Sequence, residues 1–476
     1  MTSVHTTADA GKRVTIIGLG REGTALARYL AGRGAKVTVT DTKDPNQLQN
    51  ALDELSELPI RYLLGGHPQE ALDADVIFVS PGVPREIPLL REAQERGIDL
   101  SSETKLFFSL CPAPIIGITG SSGKTTTTAL VGEIMKAHRR RTFVGGNIGA
   151  PLIELVDQVK QQDCVVMELS SFQLAGMDQS PHIAALLNLS PNHLDRHESM
   201  DDYVAAKTNI VRFQGPDDHA ILNADDPLTR KMARLCQGQV ALFSHERQVD
   251  TGAFLDREDI VIGSKGETRT VCSVSELKLV GPHNVDNVLA ACAISAAAGA
   301  DTRAMRTAVM SFRGVEHRLE FVAQIGGARY YDDSIATSPQ RTIAALNSFA
   351  DPIILLAGGR EKHLPLGELA TLIVAKVKAV VLFGEAAPLL GQALLDARGA
   401  ERTSRLPIYH STDMRESVLT AQQLAAEGDI VLLSPACASF DMYRDFAERG
   451  AHFQSLVHEL KDSHQGRRGE GEDTRD

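Results

Sequence analysis

A glycine-rich segment between an apolar run and a helix-like stretch is the clearest sign of chemistry in the chain. It reads GITGSSGKTTTT over 117–128. Where a strand turns into a helix, unpaired backbone N–H groups can bind an anion. The glycines let the backbone close around phosphate oxygens, Lys124 can reach the outer phosphates, and the Thr125 hydroxyl can ligate Mg²⁺. Ile118 stands where the usual G-x-x-x-x-G-K-[ST] pattern has its first glycine. The segment therefore predicts a triphosphate site with irregular spacing.

A second glycine pattern lies near the start of the chain. The apolar run 14–17 leads into Gly18-Leu19-Gly20-Arg21-Glu22-Gly23, and a later strand-like run, 36–40, ends at Asp41. This G-x-G-x-x-G arrangement is typical of a Rossmann unit, with a pyrophosphate at the helix N-terminus and the carboxylate near a ribose. Taken alone it suggests an NAD-dependent oxidoreductase, or glycines that merely permit tight packing.

Polar residues follow three successive apolar strands in the middle of the chain. The strands are predicted at 114–119, 164–167 and 183–189, and they are followed by Lys124 and Thr125, by Glu168, and by Asn192 and His193. Ligands of open parallel sheets bind outside the carboxyl ends of the strands, so these groups could converge on one crevice. Glu168 would then face the Mg²⁺ of a bound nucleotide, although it could instead cap the following turn.

The rest of the chain repeats the same architecture. Short apolar strands at 352–357, 377–383 and 430–433 are separated by enough helix-forming sequence for crossovers, which predicts a mostly parallel sheet. The segment 250–279 suggests a small β insertion. The predicted fold class is α/β with three domains: Rossmann-like over 1–103, a P-loop-type ATPase sheet over 104–314, and Rossmann-like again over 315–462. A disordered tail is expected over 463–476, because its composition is too polar to bury anything.

Composition narrows the class of protein. The chain has 476 residues, 43% of them hydrophobic, and a net charge of −12, which argues against a nucleic-acid partner. Its six cysteines show no C-x-x-C spacing, and no apolar run has the length of a membrane span. We expect a cytoplasmic enzyme of small molecules with no membrane or nucleic-acid partner, most simply a monomer.

Taken together, the motifs resemble those of the Mur ligase family, and specifically its glutamate-adding members. The resemblance covers nearly the whole chain and rests on GITGSSGKTTTT (117–128), GGNIG (145–149), ELSSFQL (168–174), NLSPNHLDRH (188–197), YVAAK (203–207), HN (283–284), EHRLE (316–320), DDSIATSP (332–339) and LLSPACASFD (432–441). It implies an ATP-dependent amide ligase of peptidoglycan synthesis, which joins glutamate to UDP-N-acetylmuramoyl-L-alanine through an acyl phosphate.

The resemblance also implies roles for individual residues. The catalytic set would be Lys124, Glu168, His193 and Lys207; two Mg²⁺ ions would be held by Thr125 with Glu168, and by His193 with Lys207 in carbamylated form. ATP would contact Gly120, Ser121, Ser122, Gly123, Lys124, Thr125, Thr126, Asn284, His317, Arg318, Asp333 and Thr337. The UDP substrate would contact Gly20, Arg21, Glu22, Asp41, Thr42, Lys43, Ser80, Pro81, Gly82, Asn147 and His193. Glutamate would contact Lys362, Ser439 and Phe446.

Two departures from the family pattern fall in the part of the chain that would select the amino acid. Ile335 replaces the lysine of the usual D-S-K-A-T stretch, and GGREKH over 358–363 differs from the common G-G-x-x-K-G form. D-glutamate is the favoured substrate, and addition of L-glutamate stays an alternative. A folylpolyglutamate synthase-like ligase and a non-enzymatic ATP-binding regulator are the remaining rivals.

Overall fold

The computed structural model describes residues 10–190, 199–279, 282–361, 364–400 and 406–469. The chain divides into two compact units, Met1–Phe312 and Arg313–Asp476. The first unit contains two sheets and the second contains one, so the three predicted sheets are present.

The first sheet is wholly parallel, with strand order β3-β2-β1-β4-β5. Its strands are β1 (Arg13–Ile17), β2 (Lys36–Asp41), β3 (Arg61–Leu64), β4 (Val76–Val79) and β5 (Asp99–Ser101). Its helices are α1 (Arg21–Gly32), α2 (Gln49–Glu54), α3 (Pro88–Glu95) and α4 (Glu103–Leu110). The strand order changes direction beside β1, and a crevice for a ligand forms at such a point in doubly wound sheets. This places the glycine-rich turn of 18–23 at the predicted binding edge.

The second sheet has nine strands in the order β14-β13-β12-β11-β10-β9-β6-β8-β7. They are β6 (Ile115–Thr119), β7 (Thr142–Gly146), β8 (Cys164–Glu168), β9 (Ile183–Leu186), β10 (His219–Asn223), β11 (Gln239–Ser244), β12 (Gly252–Asp256), β13 (Asp259–Ser264) and β14 (Glu267–Ser273). The helices are α5 (Lys124–Ala137), α6 (Ser171–Ala175), α7 (Met200–Arg212), α8 (Pro227–Met232), α9 (Pro282–Ala297) and α10 (Thr302–Ser311). Strands β12 to β14 form an antiparallel edge, which is the small β insertion suggested by the sequence.

The two sheets of the first unit share one hydrophobic core. Leu26 and Leu30 of α1 belong to the same buried cluster as Phe107 of α4 and Val165 of β8. Helix α4 is begun by Ser102, whose hydroxyl accepts a hydrogen bond from the Lys105 amide at 3.2 Å. Because α4 packs on both sides, the predicted boundary at residue 103 falls inside a single packed body.

The C-terminal unit is a six-stranded sheet in the order β15-β16-β20-β17-β18-β19, with β15 as its antiparallel edge. The strands are β15 (Glu320–Ile325), β16 (Ala328–Asp332), β17 (Ile353–Gly358), β18 (Val377–Phe383), β19 (Ile408–His410) and β20 (Ile430–Ala436). The helices are α11 (Pro339–Asn347), α12 (Gly367–Lys376), α13 (Ala387–Ala400), α14 (Met414–Leu424) and α15 (Phe446–Gly469).

Residues 463–469, where the sequence predicts the start of a disordered tail, continue helix α15, and the disordered tail stays a prediction. The Ser463 hydroxyl donates to the Glu459 carbonyl at 2.9 Å, and Ser463 and His464 line a groove together with residues of α14. Extending an existing helix is easier than starting a new one, so helix α15 continues into this polar segment. Residues 470–476 lie outside the described part of the chain. Within the described part, no helix is both long and apolar enough to cross a membrane.

Candidate active site

The loop between β6 and α5 carries the predicted phosphate contacts. Gly123 has a φ of 79°, and a Cβ added there would lie 2.2 Å from Oδ1 of Asn287 on α9. Only glycine fits this position without strain, and the turn directs the first amides of α5 toward the mouth of the loop. The Lys124 ammonium crosses that mouth, donating to the carbonyls of Gly120 at 2.9 Å and Ser121 at 3.2 Å. The loop therefore has the backbone shape and the cation that a phosphate chain requires.

A chain of oxygen and amide groups extends from this loop across the neighbouring strands. The Thr125 hydroxyl donates to Oε2 of Glu168 at 2.7 Å, and Nδ2 of Asn147 donates to Oε1 of Glu168 at 2.7 Å. Glu168 is the last residue of β8 and is 2% exposed. Strand β8 lies between β6 and β7, so three adjacent carboxyl ends deliver these side chains to one place. The convergence expected from the sequence is present for Lys124, Thr125 and Glu168, and Asn147 joins them; Asn192 and His193 lie outside the described residues.

Lys207 reaches the same site from helix α7. Its ammonium donates to the Thr119 hydroxyl and to the Gly120 carbonyl, both at 3.0 Å, and the residue is 2% exposed. Burial and, after it, the charge of Lys124 lower the pKa of Lys207 to about 6, against the opposing effect of Glu168. The sequence had given no sign that this lysine is buried. The structure thus places an amine of unusually low basicity beside the phosphate loop.

The sequence did not single out Asn287 or Tyr203, although both shape this loop. The Asn287 amide donates to Oδ1 of Asn284, one turn earlier on α9, at 3.0 Å. The Tyr203 hydroxyl lies 2.9 Å from the Ser121 hydroxyl. The spacing of two asparagines three residues apart could have indicated a shared helix face. Predicted residues His193 and Lys362 lie outside the described residues.

The first sheet brings its predicted substrate residues to one edge, where the side chains of Asp41 and Ser80 bond to the backbone of the neighbouring turns. The Asp41 carboxylate accepts from the amides of Leu19 at 2.8 Å and Lys43 at 2.9 Å, so it shapes two turns. The Ser80 hydroxyl donates to the Gly18 carbonyl at 2.8 Å. Gly20, Thr42, Lys43, Pro81 and Gly82 lie in the same turns. Contact of these residues with a uridine or diphosphate stays a prediction.

The C-terminal unit has its own cluster of predicted residues. Nδ1 of His317 lies 2.7 Å from Asp332, and this carboxylate raises the pKa of His317. Asp333 accepts from the Ser434 hydroxyl at 2.8 Å, and burial raises the pKa of Asp333 to about 7. Arg318 is exposed beside this cluster. The Asp333 side chain is buried inside the unit, and its contact with ATP stays a prediction.

A buried arginine organises the remaining predicted residues of this unit. Arg449 on α15 is 0% exposed, and its guanidinium donates to the carbonyls of Ser334 at 2.9 Å and Ala438 at 3.1 Å. These carbonyls belong to the loops that hold Thr337 and Ser439, and the Phe446 carbonyl accepts from the Ser334 hydroxyl at 2.8 Å. Nothing in the spacing of the sequence had indicated that Arg449 ties these loops together.

The donor set fits a magnesium nucleotide. A Cβ at Gly120 would lie 2.9 Å from Leu187, so glycine lets the loop backbone pack closely against the segment that follows β9. A hydroxyl and a carboxylate within hydrogen-bond distance are the hard oxygen ligands that Mg²⁺ prefers. A glycine-rich loop ahead of a helix, on a parallel sheet and beside a buried carboxylate, defines an enzyme that uses a nucleoside triphosphate.

Comparison with known proteins gives the family. Three family models match in chain order: the Mur ligase MurD-like N-terminal domain over 12–102, the Mur ligase middle domain over 118–295, and the Mur ligase glutamate ligase domain over 317–437. The chain belongs to the Mur ligase family, whose members in general use ATP and Mg²⁺. The family resemblance drawn from the motifs is confirmed, and the oxidoreductase alternative is wrong.

Relatives with similar sequences align with this chain over almost its full length. A UDP-N-acetylmuramoylalanine-D-glutamate ligase from Symbiobacterium thermophilum is 46% identical, with 94% of this chain and 98% of that protein covered. The enzyme of the same name from Acetivibrio thermocellus is 42% identical, with 94% and 97% covered. Among solved structures, UDP-N-acetylmuramate-alanine ligase MurC from Thermotoga maritima matches with a TM-score of 0.54 at 20% identity, covering 94% of this chain and 100% of that chain. That likeness shows a shared fold.

Proposed function

We propose that this chain is an ATP-dependent ligase that joins D-glutamate to UDP-N-acetylmuramoyl-L-alanine in peptidoglycan synthesis. The observation that carries the proposal is the set of Lys124, Thr125 and Glu168 around one phosphate loop. This set lies in a chain that is 46% and 42% identical to two ligases named for that reaction.

The chemistry asked of the site is activation of a carboxylate. A carboxylate is a poor electrophile, so its oxygen first attacks the terminal phosphorus of ATP; the bond from that phosphorus to ADP breaks, and an acyl phosphate forms. The amine of glutamate then attacks the acyl carbon, loses a proton, and displaces phosphate to leave an amide. Phosphoryl transfer needs positioning and charge neutralisation rather than a protein nucleophile. Lys124 supplies positive charge where the transferred phosphoryl group develops negative charge.

Magnesium, when bound, neutralises and orients the phosphate oxygens. Thr125 and Glu168 would hold one ion, and His193 with a carbamylated Lys207 would hold a second. The buried Lys207 amine supports this assignment, because it faces the oxygens of Thr119 and Gly120 rather than water. Addition of CO₂ converts the amine into an oxygen ligand for the metal.

The remaining parts of the chain would bind the other substrates. The turns around Gly20, Thr42 and Ser80 would hold the UDP group, with Asn147 toward the muramoyl-alanine end. In the C-terminal unit, Lys362, Ser439 and Phe446 would bind glutamate. Nucleotide contacts are proposed for Asn284 in the first unit and for His317, Arg318, Asp333 and Thr337 in the C-terminal unit. We further propose that the enzyme acts as a cytoplasmic monomer.

The test is ATP-dependent phosphate release with UDP-N-acetylmuramoyl-L-alanine, run in parallel with D- and L-glutamate. We expect release with D-glutamate, none when either co-substrate is omitted, and a loss of about 10² to 10³-fold in Lys124→Ala, because one charge-neutralising group is removed. Release with L-glutamate alone would instead assign the L-glutamate-adding function. ATP binding without phosphate release in the presence of UDP-N-acetylmuramoyl-L-alanine and either glutamate enantiomer would refute the ligase proposal.

A further inference from the structure

Arg21, the first residue of α1, makes long-range hydrogen bonds to the second sheet. Its Nη1 donates to the Gly149 carbonyl at 2.8 Å, and its Nη2 donates to the Gly146 carbonyl at 3.1 Å. These carbonyls lie on either side of Asn147. One guanidinium therefore spans the loop 146–149. Its planar group holds two N–H donors in fixed relative positions, so both carbonyls can be bound at once.

The loop that Arg21 spans rests directly on Glu168. The Asn147 amide N–H donates to the Glu168 carbonyl at 2.9 Å, and its side-chain amide donates to Oε1 of Glu168 at 2.7 Å. Gly146 has a φ of 90°, and a Cβ there would lie 2.4 Å from the Glu168 carbonyl oxygen. With the backbones this close, a shift of the loop moves the Glu168 carboxylate and the Thr125 hydroxyl bonded to it.

The next residue, Glu22, makes a second connection to the same strand end. Its Oε1 accepts from Nε2 of Gln173 at 2.9 Å, and Oε1 of Gln173 accepts from the Ser170 amide at 2.9 Å. Ser170 lies two residues beyond Glu168. Arg21 thus contacts the end of β7 directly, and Glu22 is connected to the end of β8 through Gln173.

We propose that Arg21, supported by Glu22, is a positioning residue that couples the glycine-rich turn of the first sheet to the magnesium-nucleotide site. The N-terminus of α1 is where a substrate diphosphate would bind, so a bound diphosphate fixes the orientation of Arg21 and, through Asn147, of Glu168. This assignment of the diphosphate rests on the proposed function. Linkage requires the effect to be reciprocal: UDP tightens Mg·ATP-analogue binding, and the analogue tightens UDP binding by the same factor.

The test measures binding rather than turnover. Calorimetry gives the affinity of the wild-type chain for magnesium and a non-hydrolysable ATP analogue, with and without saturating UDP. We expect UDP to raise this affinity about fivefold or more, in the usual range of coupling between sites. In Arg21→Ala the ratio of the affinities with and without UDP falls to about one, because the connection through the loop 146–149 is lost. Arg21→Lys, which can reach one carbonyl at a time, keeps part of the increase.

Arg33→Ala is the matched control. Arg33 follows the last residue of α1, at the end opposite Arg21, and pairs with Asp157 at 2.5 Å, in the 3-10 segment Leu152–Gln158 beyond the loop 146–149. Its loss removes a bridge between the sheets without touching Glu168, so coupling should survive. Asn147→Ala breaks the connection from the opposite end and should abolish coupling as Arg21→Ala does.

Three results would overturn the proposal: no coupling in the wild-type chain, unchanged coupling in folded Arg21→Ala, or equal loss in Arg33→Ala. Weaker UDP binding in Arg21→Ala with intact coupling would make Arg21 an ordinary substrate contact. Thermal melting confirms that each variant is folded. Because the phosphate-release assay decides the proposed function separately, failure of one is distinguishable from failure of the other.

Discussion

Replacing Gly123 by alanine tests whether the shape of the phosphate loop determines nucleotide binding. Gly123 has a φ of 79°, where an L-residue costs about 1–2 kcal/mol. The new methyl group would lie 2.2 Å from Oδ1 of Asn287, which is only 8% exposed. Asn287 would have to move, and its hydrogen bonds with Asn284 at 3.0 Å and with Thr127 at 3.4 Å would weaken, at about 1 kcal/mol each.

Gly97 provides a matched control for the backbone cost. It has a φ of 71°, and a Cβ there meets nothing within 4 Å. Gly97→Ala therefore carries the left-handed strain without the clash. We expect Gly123→Ala to bind the magnesium-ATP analogue about 30-fold less tightly than Gly97→Ala, since about 2 kcal/mol of displaced contacts corresponds to that ratio.

Calorimetric titration of both variants measures this difference, and thermal melting reports the stability of the unit. The double variant Gly123→Ala/Asn287→Ala removes the clash, so part of the lost affinity should return. If Gly123→Ala bound the analogue as tightly as Gly97→Ala, the contact with Asn287 would not govern the loop, and the argument from loop shape would be refuted.

Three other substitutions give separate tests. Thr125→Val removes the hydroxyl that donates to Glu168 at 2.7 Å, and a Mg²⁺ titration of phosphate release should show a half-saturation raised about tenfold, since one oxygen ligand is lost. Arg449→Met leaves several buried carbonyl groups without donors; the C-terminal unit should lose about 3 kcal/mol and melt several degrees lower, and Arg449→Lys should recover part. Burial, with Glu103 adding, raises the pKa of Glu22 from 4.5 to about 8, so the unfolded chain ionises first and wild-type stability falls as pH rises between these values. Glu22→Gln should therefore have the same melting temperature as wild type near pH 4.5 and a higher melting temperature than wild type at pH 8. Equal melting temperatures of the two proteins at both pH values would contradict the raised pKa of the buried carboxyl group.

The sequence predicted the sheets well because their signals are local. Apolar runs such as 115–119 and 353–358 are fully buried strands. Polar residues that follow strands of this kind identified Thr125 and Glu168 from the sequence. The motifs occur in the same order as in the Mur ligase family, and this resemblance predicted the reaction. The strand ending at Gly146 was not predicted, because its glycines and half-buried positions lack the pattern of an interior strand.

What the sequence determined by itself is therefore the three α/β sheets, the phosphate loop and the family. Tertiary structure alone decided which groups are buried and what each contacts. From the sequence alone, Lys207 would be taken for a solvent-exposed lysine on a helix. Packing instead buries its amine beside Thr119. Arg21 reads as a substrate contact, yet it bonds to carbonyls more than 120 residues away in the chain. Such pairings depend on how separate sheets pack, and no local spacing encodes that.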